Sequence, residues 1–108
     1  MLLVEYQRRS KSTASYPKDV RFLYPALGLA GEAGEVAEQV KRVLRDDAGE
    51  LTETRRQAIA SELGDVLWYV SQLATELGFS LEEIAVRNLD KLADRKRRGV
   101  LSGSGDNR

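Results

Sequence analysis

Four acidic residues recur in a spacing suited to holding a divalent cation. Glu32-Ala33-Gly34-Glu35-Val36 returns as Glu62-Leu63-Gly64-Asp65-Val66, an offset of 30 residues. Ala30-Gly31 precedes the first copy and Ala60-Ser61 the second. Each copy sets two carboxylates three residues apart, which a helix projects from one side. At 100° per residue, Glu32 lies about 40° and Glu35 about 100° to one side of Val36. Glu62 and Asp65 take the same angles about Val66. The apolar stripe is centred on the other side of each valine, so the acids border the core. A lone E-x-x-E pair is ordinary solvated surface; two copies at equal phase are less so. Carboxylates gathered this way repel, and partial burial adds to the cost. A hard cation resolves the conflict. Magnesium takes oxygen ligands and often combines carboxylates with substrate phosphates. Calcium and manganese suit the same donors.

Helices must position these acids. Leu29, Ala33, Val36, Ala37, Val40, Val43 and Leu44 repeat with a period near 3.6, predicting a helix from about Pro25 to Arg45. Asp46-Asp47-Ala48-Gly49-Glu50 reads as a polar turn. Thr52 is an N-cap for a third helix, with Glu53 in its first turn. Ile59, Leu63, Val66, Leu67, Val70, Leu73, Ala74 and Leu77 form its stripe, and Gly78 stops it. Ser80 and Glu83 make a capping box for a fourth helix. That helix is expected to bury Leu81, Ile84, Ala85, Leu89 and Leu92, and to fade near Arg98. Residues 2–14 predict a shorter first helix with a thin apolar face, broken at Tyr16-Pro17. No stretch reads as a strand. The expected fold is all-α: a compact four-helix bundle of three long helices plus a shorter N-terminal one. The domain spans residues 1–98, and 99–108 form a tail with little to pack, expected to be mobile.

Gly28, Gly31 and Gly34 fall inside the second helix, where each costs up to about 1 kcal/mol against alanine. Their absent side chains allow either close approach of a helix or room for a ligand beside Glu32 and Glu35.

Composition removes other chemistries. The 108 residues contain no cysteine and no histidine. That leaves out disulfides, thiol catalysis, the usual zinc sites and histidine triads. Lysine plus arginine and aspartate plus glutamate are both 17. A zero net charge argues against general nucleic-acid or membrane binding. No apolar run approaches the ~20 residues of a membrane span, and the start lacks signal-peptide features. A cytoplasmic protein is the simplest reading.

The run from Leu29 to Glu38, followed by Glu62-Leu63-Gly64-Asp65-Val66-Leu67, resembles the MazG-type nucleotide pyrophosphohydrolases. These belong to the all-α NTP pyrophosphatase superfamily, with the dimeric dUTPases and phosphoribosyl-ATP pyrophosphatases. The family pattern is E-x-x-E, a variable spacer, then E-x-x-D; here 26 residues, 36 to 61, separate the halves. The resemblance covers roughly residues 5 to 101 and makes residues 1–98 a MazG-like domain. It implies that Glu32, Glu35, Glu62 and Asp65 hold magnesium, with manganese a substitute. It also implies hydrolysis of a nucleoside triphosphate between its α- and β-phosphates, giving a monophosphate and pyrophosphate. Glu35 is then also a catalytic candidate, and Glu38, one turn on, a further ligand or proton acceptor. On the fourth helix Asn88, Lys91 and Arg95 match the family's Asn-x-x-Lys and following basic residue, and would contact substrate. Tyr69, four residues after Asp65, falls on the acid side and is a further substrate-binding candidate; Trp68 points elsewhere, toward a core or subunit contact. A homodimer or homotetramer is implied.

Two other classes compete. A helical interaction module without catalysis would use the acids as a solvated or partner-binding face. A di-iron carboxylate bundle usually adds Glu-x-x-His motifs, which this chain lacks.

Overall fold

A computed structural model describes residues 1–108, and it is all-helical with no strand. Helix α1 spans Leu3–Ser10 and runs into a 3-10 turn over Lys11–Thr13. A second 3-10 turn, Lys18–Val20, leads to α2 at Leu23–Asp46, followed by α3 at Glu53–Glu76 and α4 at Leu81–Arg98.

The ends of these helices follow from local chemistry. The Thr52 hydroxyl accepts from the Arg55 N–H and caps α3. Ser80 and Glu83 close a reciprocal capping box on α4. Gly78 adopts φ 81°, letting the Phe79 N–H reach the Ala74 carbonyl at 2.9 Å and the Gly78 N–H reach Thr75 at 3.1 Å. That pair of bonds ends α3 and satisfies carbonyls the helix cannot. Gly99 and Val100 close α4 the same way, onto Lys96 and Arg95.

Helices α2 and α3, each 24 residues long, form an antiparallel hairpin with the largest contact surface in the chain. Arg55 fixes its register. Its Nη1 donates to Gln39 Oε1 at 2.9 Å, and its Nε donates to Asp47 Oδ2 at 3.0 Å, holding the connecting turn. Leu29 and Val36 of α2 and Ile59 and Val66 of α3 are half-buried along the seam.

Polar side chains dock α1. The carboxamide of buried Gln7 donates to Thr75 Oγ1 and to the Phe79 carbonyl, both at 2.9 Å, and accepts from the Leu81 N–H at 2.8 Å. The last bond satisfies a donor that the first turn of α4 leaves free. Ser10 Oγ lies 2.8 Å from Ser71 Oγ and accepts from Gln72 Nε2 at 2.9 Å. Ser71 and Gln72 are almost wholly buried, and no buried side-chain polar atom lacks a partner.

The assembly is open on one side. Its radius of gyration is 16.8 Å, against about 13 Å for a spherical domain of this length. Helix α4 packs on α1 and α3. It buries Leu81 and half-buries Ala85, but Ile84, Leu89 and Leu92 are exposed, contrary to the expectation from its stripe. The stripe is real; a single chain supplies nothing to cover it. Residues 99–108 curl back on α4, where Asp106 meets Lys91 and Arg95 and the Arg108 guanidinium donates to the Val100 carbonyl.

Candidate functional site

The hairpin has two unlike faces. Because the helices are antiparallel and their acids share one phase, all four carboxylates fall on the same side. Carboxylate oxygens of Glu32, Glu62 and Asp65 lie within 4.8 Å of one another. Glu32 and Glu62 are half-buried at the seam, and Asp65 is exposed. Glu35 is exposed and stands outside this trio, though its charge still reaches Glu32. The Glu32 carboxyl is held above its ordinary value. Loss of solvent is the largest cause, followed by the charges of Asp65 and Glu62, a carboxyl hydrogen bond to Glu62, and Glu35. Like charges crowded in this way favour a shared proton or a cation. The donors are all oxygen, which fits a hard divalent ion such as magnesium or manganese.

Glu38 faces a different environment. It pairs with Lys41 at 2.9 Å and Arg42 at 3.6 Å on its own helix. The Lys41 hydrogen bond leads in holding its pKa below the usual carboxylate range.

Tyr69 belongs with the acids. Burial raises its hydroxyl first, then the neighbouring Tyr24 hydroxyl, then the charges of Glu32 and Asp65. Its ring is 5.0 Å from Trp68, edge to face, and 6.4 Å from Tyr24. Tyr24 in turn stacks on Tyr16 at 5.0 Å. The glycines divide in two. A Cβ on Gly28 would meet the Tyr69 ring, whereas Gly31 and Gly34 look onto open space.

On α4, Asn88 is exposed, Lys91 partly so, and Arg95 is buried. Asp106 Oδ1 binds Lys91 Nζ at 3.2 Å and Arg95 Nη2 at 3.1 Å, and Arg95 also donates to the Asp106 carbonyl at 2.9 Å. The Arg95 bond leads in depressing the Asp106 pKa, with Lys91 next.

Two tyrosines near the acids escaped the sequence reading. Tyr24, Gly28 and Glu32 are spaced four apart, so helical periodicity alone could have placed Tyr24 on the acid side. Tyr6 is different. The charge of Asp65 is felt at its hydroxyl, which burial raises first. Nothing in the sequence around Tyr6 signals that α1 docks there.

Comparison with known proteins fits this geometry. The chain is 49% identical over 109 residues to the Gene 37 protein of Mycobacterium phage L5, with 95% of this chain and 96% of that protein covered. No solved structure matches the chain. The description MazG nucleotide pyrophosphohydrolase domain matches residues 24–100, a span holding all of α2 but its first residue, and the whole of α3 and α4. By that match the chain belongs to the MazG nucleotide pyrophosphohydrolase family.

Proposed function

We propose that the chain is a magnesium-dependent pyrophosphohydrolase that converts a nucleoside or deoxynucleoside triphosphate and water to the monophosphate and pyrophosphate. The convergence of Glu32, Glu62 and Asp65 within 4.8 Å carries this reading. These three, completed by Glu35, would hold the ion, with manganese a substitute. When bound, the ion spreads the charge of the phosphates and promotes attack by water. Glu35, exposed one turn from Glu32, would be the acceptor for the proton from that water. Glu38 is the poorer acceptor, because its cationic partners depress its basicity.

Tyr69, Asn88, Lys91 and Arg95 are the substrate contacts in this reading. Lys91 and Arg95 already grip a carboxylate, Asp106, and the same donors suit phosphate oxygens. Assembly into a homodimer or homotetramer belongs to the same proposal. The hairpin face opposite the acids carries exposed Leu27, Leu44, Leu63 and Leu67, with Leu27 75% and Leu44 71% accessible. An apolar face of that kind favours a second copy over water. No helix is long and apolar enough to cross a membrane, and we place the enzyme in the cytoplasm, where its substrates are.

A pyrophosphate-release screen over standard and modified triphosphates, with and without magnesium, tests the function. Release is expected with magnesium only. Asp65→Asn should lower it by about a hundredfold or more, as loss of a metal ligand should exceed the effect of losing its supporting partner, with helical content unchanged. Full activity in Asp65→Asn and Glu62→Gln would overturn the assignment.

A further inference from the structure

A cavity of ≈ 450 Å³ opens between α1 and α3, lined by none of the four acids. Tyr6, Arg8, Arg9 and Ser10 line it from α1, Trp68 lines it from α3, and Met1 and Ser12 complete its wall. The size falls in the range of small-molecule sites. Two of its lining residues, Trp68 and Tyr6, relate it to Asp65. Trp68 follows Asp65 by three residues, one turn on along α3, and instead of the core or subunit contact expected of it, its indole meets α1's extension at Thr13 and lines this cavity. Tyr6 lines the cavity and is also close enough to feel the Asp65 charge.

The lining has a definite chemistry. Trp68 is held in place: its Nε1–H donates to Thr13 Oγ1 at 2.8 Å, and it meets the Tyr69 ring edge to face. With its one donor occupied, the indole offers a ligand its π surface. Tyr6 adds a second aromatic body. Arg8 takes part in no ion pair, and Arg9 is paired only with Glu5, at 3.7 Å. Two aromatics and an unengaged guanidinium suit a flat, polar-edged heterocycle on a short anionic link, since rings stack on aromatic faces and guanidinium donates to carbonyl and phosphate oxygens.

We propose that this cavity seats the nucleoside end of the substrate, its base stacked on Trp68 and Tyr6 and its polar edge held by Arg8, with the phosphates directed to Glu32, Glu62 and Asp65. The inference rests on the pyrophosphohydrolase reading for the substrate class. It gives the aromatics of α1 and α3 a task that the acids cannot perform, namely telling a nucleotide from free polyphosphate.

Trp68 is the sole tryptophan, so its fluorescence reports on the cavity without a label. The 108-residue chain is titrated with AMP, GMP, CMP and UMP, and separately with inorganic pyrophosphate, in EDTA so that no metal chemistry intervenes. At least one monophosphate is expected to quench Trp68 saturably, and pyrophosphate is not. Arg8→Ala, a surface change, should weaken that quenching by about tenfold, the value of one charge-assisted hydrogen bond. Asp65→Asn should leave it intact. In steady-state hydrolysis, Arg8→Ala should raise KM with kcat little changed. If no monophosphate quenches while the matching triphosphates release pyrophosphate, the cavity assignment falls and the reading of the acids stands. If pyrophosphate quenches as well as the monophosphates do, the cavity takes phosphate and the proposal is overturned. Quenching by a monophosphate without any hydrolysis supports the cavity and removes the catalytic reading instead.

Discussion

A Cβ atom on Gly28 would stand inside the ring edge of Tyr69, against its Cε1. The tyrosine therefore occupies the space that any other residue at position 28 would fill, and it does so while sensing Glu32 and Asp65. Glycine to alanine inside a helix normally gains up to about 1 kcal/mol. At this position the sign should reverse. Gly28→Ala is expected to lose about 1–3 kcal/mol through overpacking, and in a Tyr69→Ala background the same change should be neutral or stabilising. Thermal unfolding of the four chains forms the double-mutant cycle that checks it. Gly31→Ala, facing open space, is the control and should raise the melting temperature of the isolated chain.

Gln7 should behave as a structural keystone although it is polar and lies on the thinnest helix. Its carboxamide meets α3, the following loop and the start of α4 in three hydrogen bonds. Gln7→Leu would leave the Leu81 N–H, the Thr75 hydroxyl and the Phe79 carbonyl without that partner. A cost of about 3 kcal/mol is expected, the upper end for orphaned buried groups. Urea denaturation measures it. A loss below about 0.5 kcal/mol, the scale of ordinary surface changes, would show that α1 is held by something else.

Asp106 offers a test of the cationic pair on α4. If Lys91 and Arg95 take phosphate oxygens, the Asp106 carboxylate competes with substrate for the same donors. Asp106→Asn should lower KM for the triphosphate by about threefold to tenfold, the scale of one partly exposed charge contact. Arg95→Gln should raise it. An Asp106→Asn enzyme with unaltered KM would separate α4 from substrate binding.

Alkaline stability should depend on Tyr16. Its hydroxyl donates to Glu76 Oε1 at 2.8 Å. Burial, then that bond, then the Glu76 charge push its pKa up to about 12. In the unfolded chain the phenol ionises near 10. The folded state thus holds this proton more tightly, and the stabilisation is whole below pH 10 and lost as pH rises toward 12. Melting temperatures between pH 9 and 12 should fall more steeply for the native chain than for Tyr16→Phe. Parallel slopes would remove Tyr16 from the account.

The uncovered hairpin face leads to a prediction about mass. Light scattering at micromolar concentration should give a dimer or tetramer. Leu63→Glu, which sets a charge among exposed leucines, should shift it toward monomer while helical content persists. A native chain that is monomeric at every concentration would refute self-association through this face.

Helix ends and acid phase were legible because both are local. Thr52, Ser80, Glu83 and Gly78 act on groups within a turn of themselves, and Glu32, Glu62 and Asp65 follow from a 3.6-residue period. The docking of α1 was hidden for the opposite reason. Gln7 and Ser10 find partners more than 60 residues away, through hydrogen bonds that leave no periodic trace. Tyr6 was missed with them. Leu89 and Leu92 show a further gap, since a stripe says that a face wants cover without saying whether its own chain supplies it.

The equal lengths of α2 and α3 and their repeated acids give the hairpin a near two-fold relation, pairing Glu32 with Glu62 and Glu35 with Asp65. A triphosphate has two different ends. A perfectly symmetric cradle would accept it in either direction with equal energy, and half of the encounters would be reversed. In the proposed reaction α1 would break the tie, since its Tyr6 feels the charge of Asp65. The smallest helix would thereby give the cradle its polarity, a head and a tail that the duplicated rods alone do not possess.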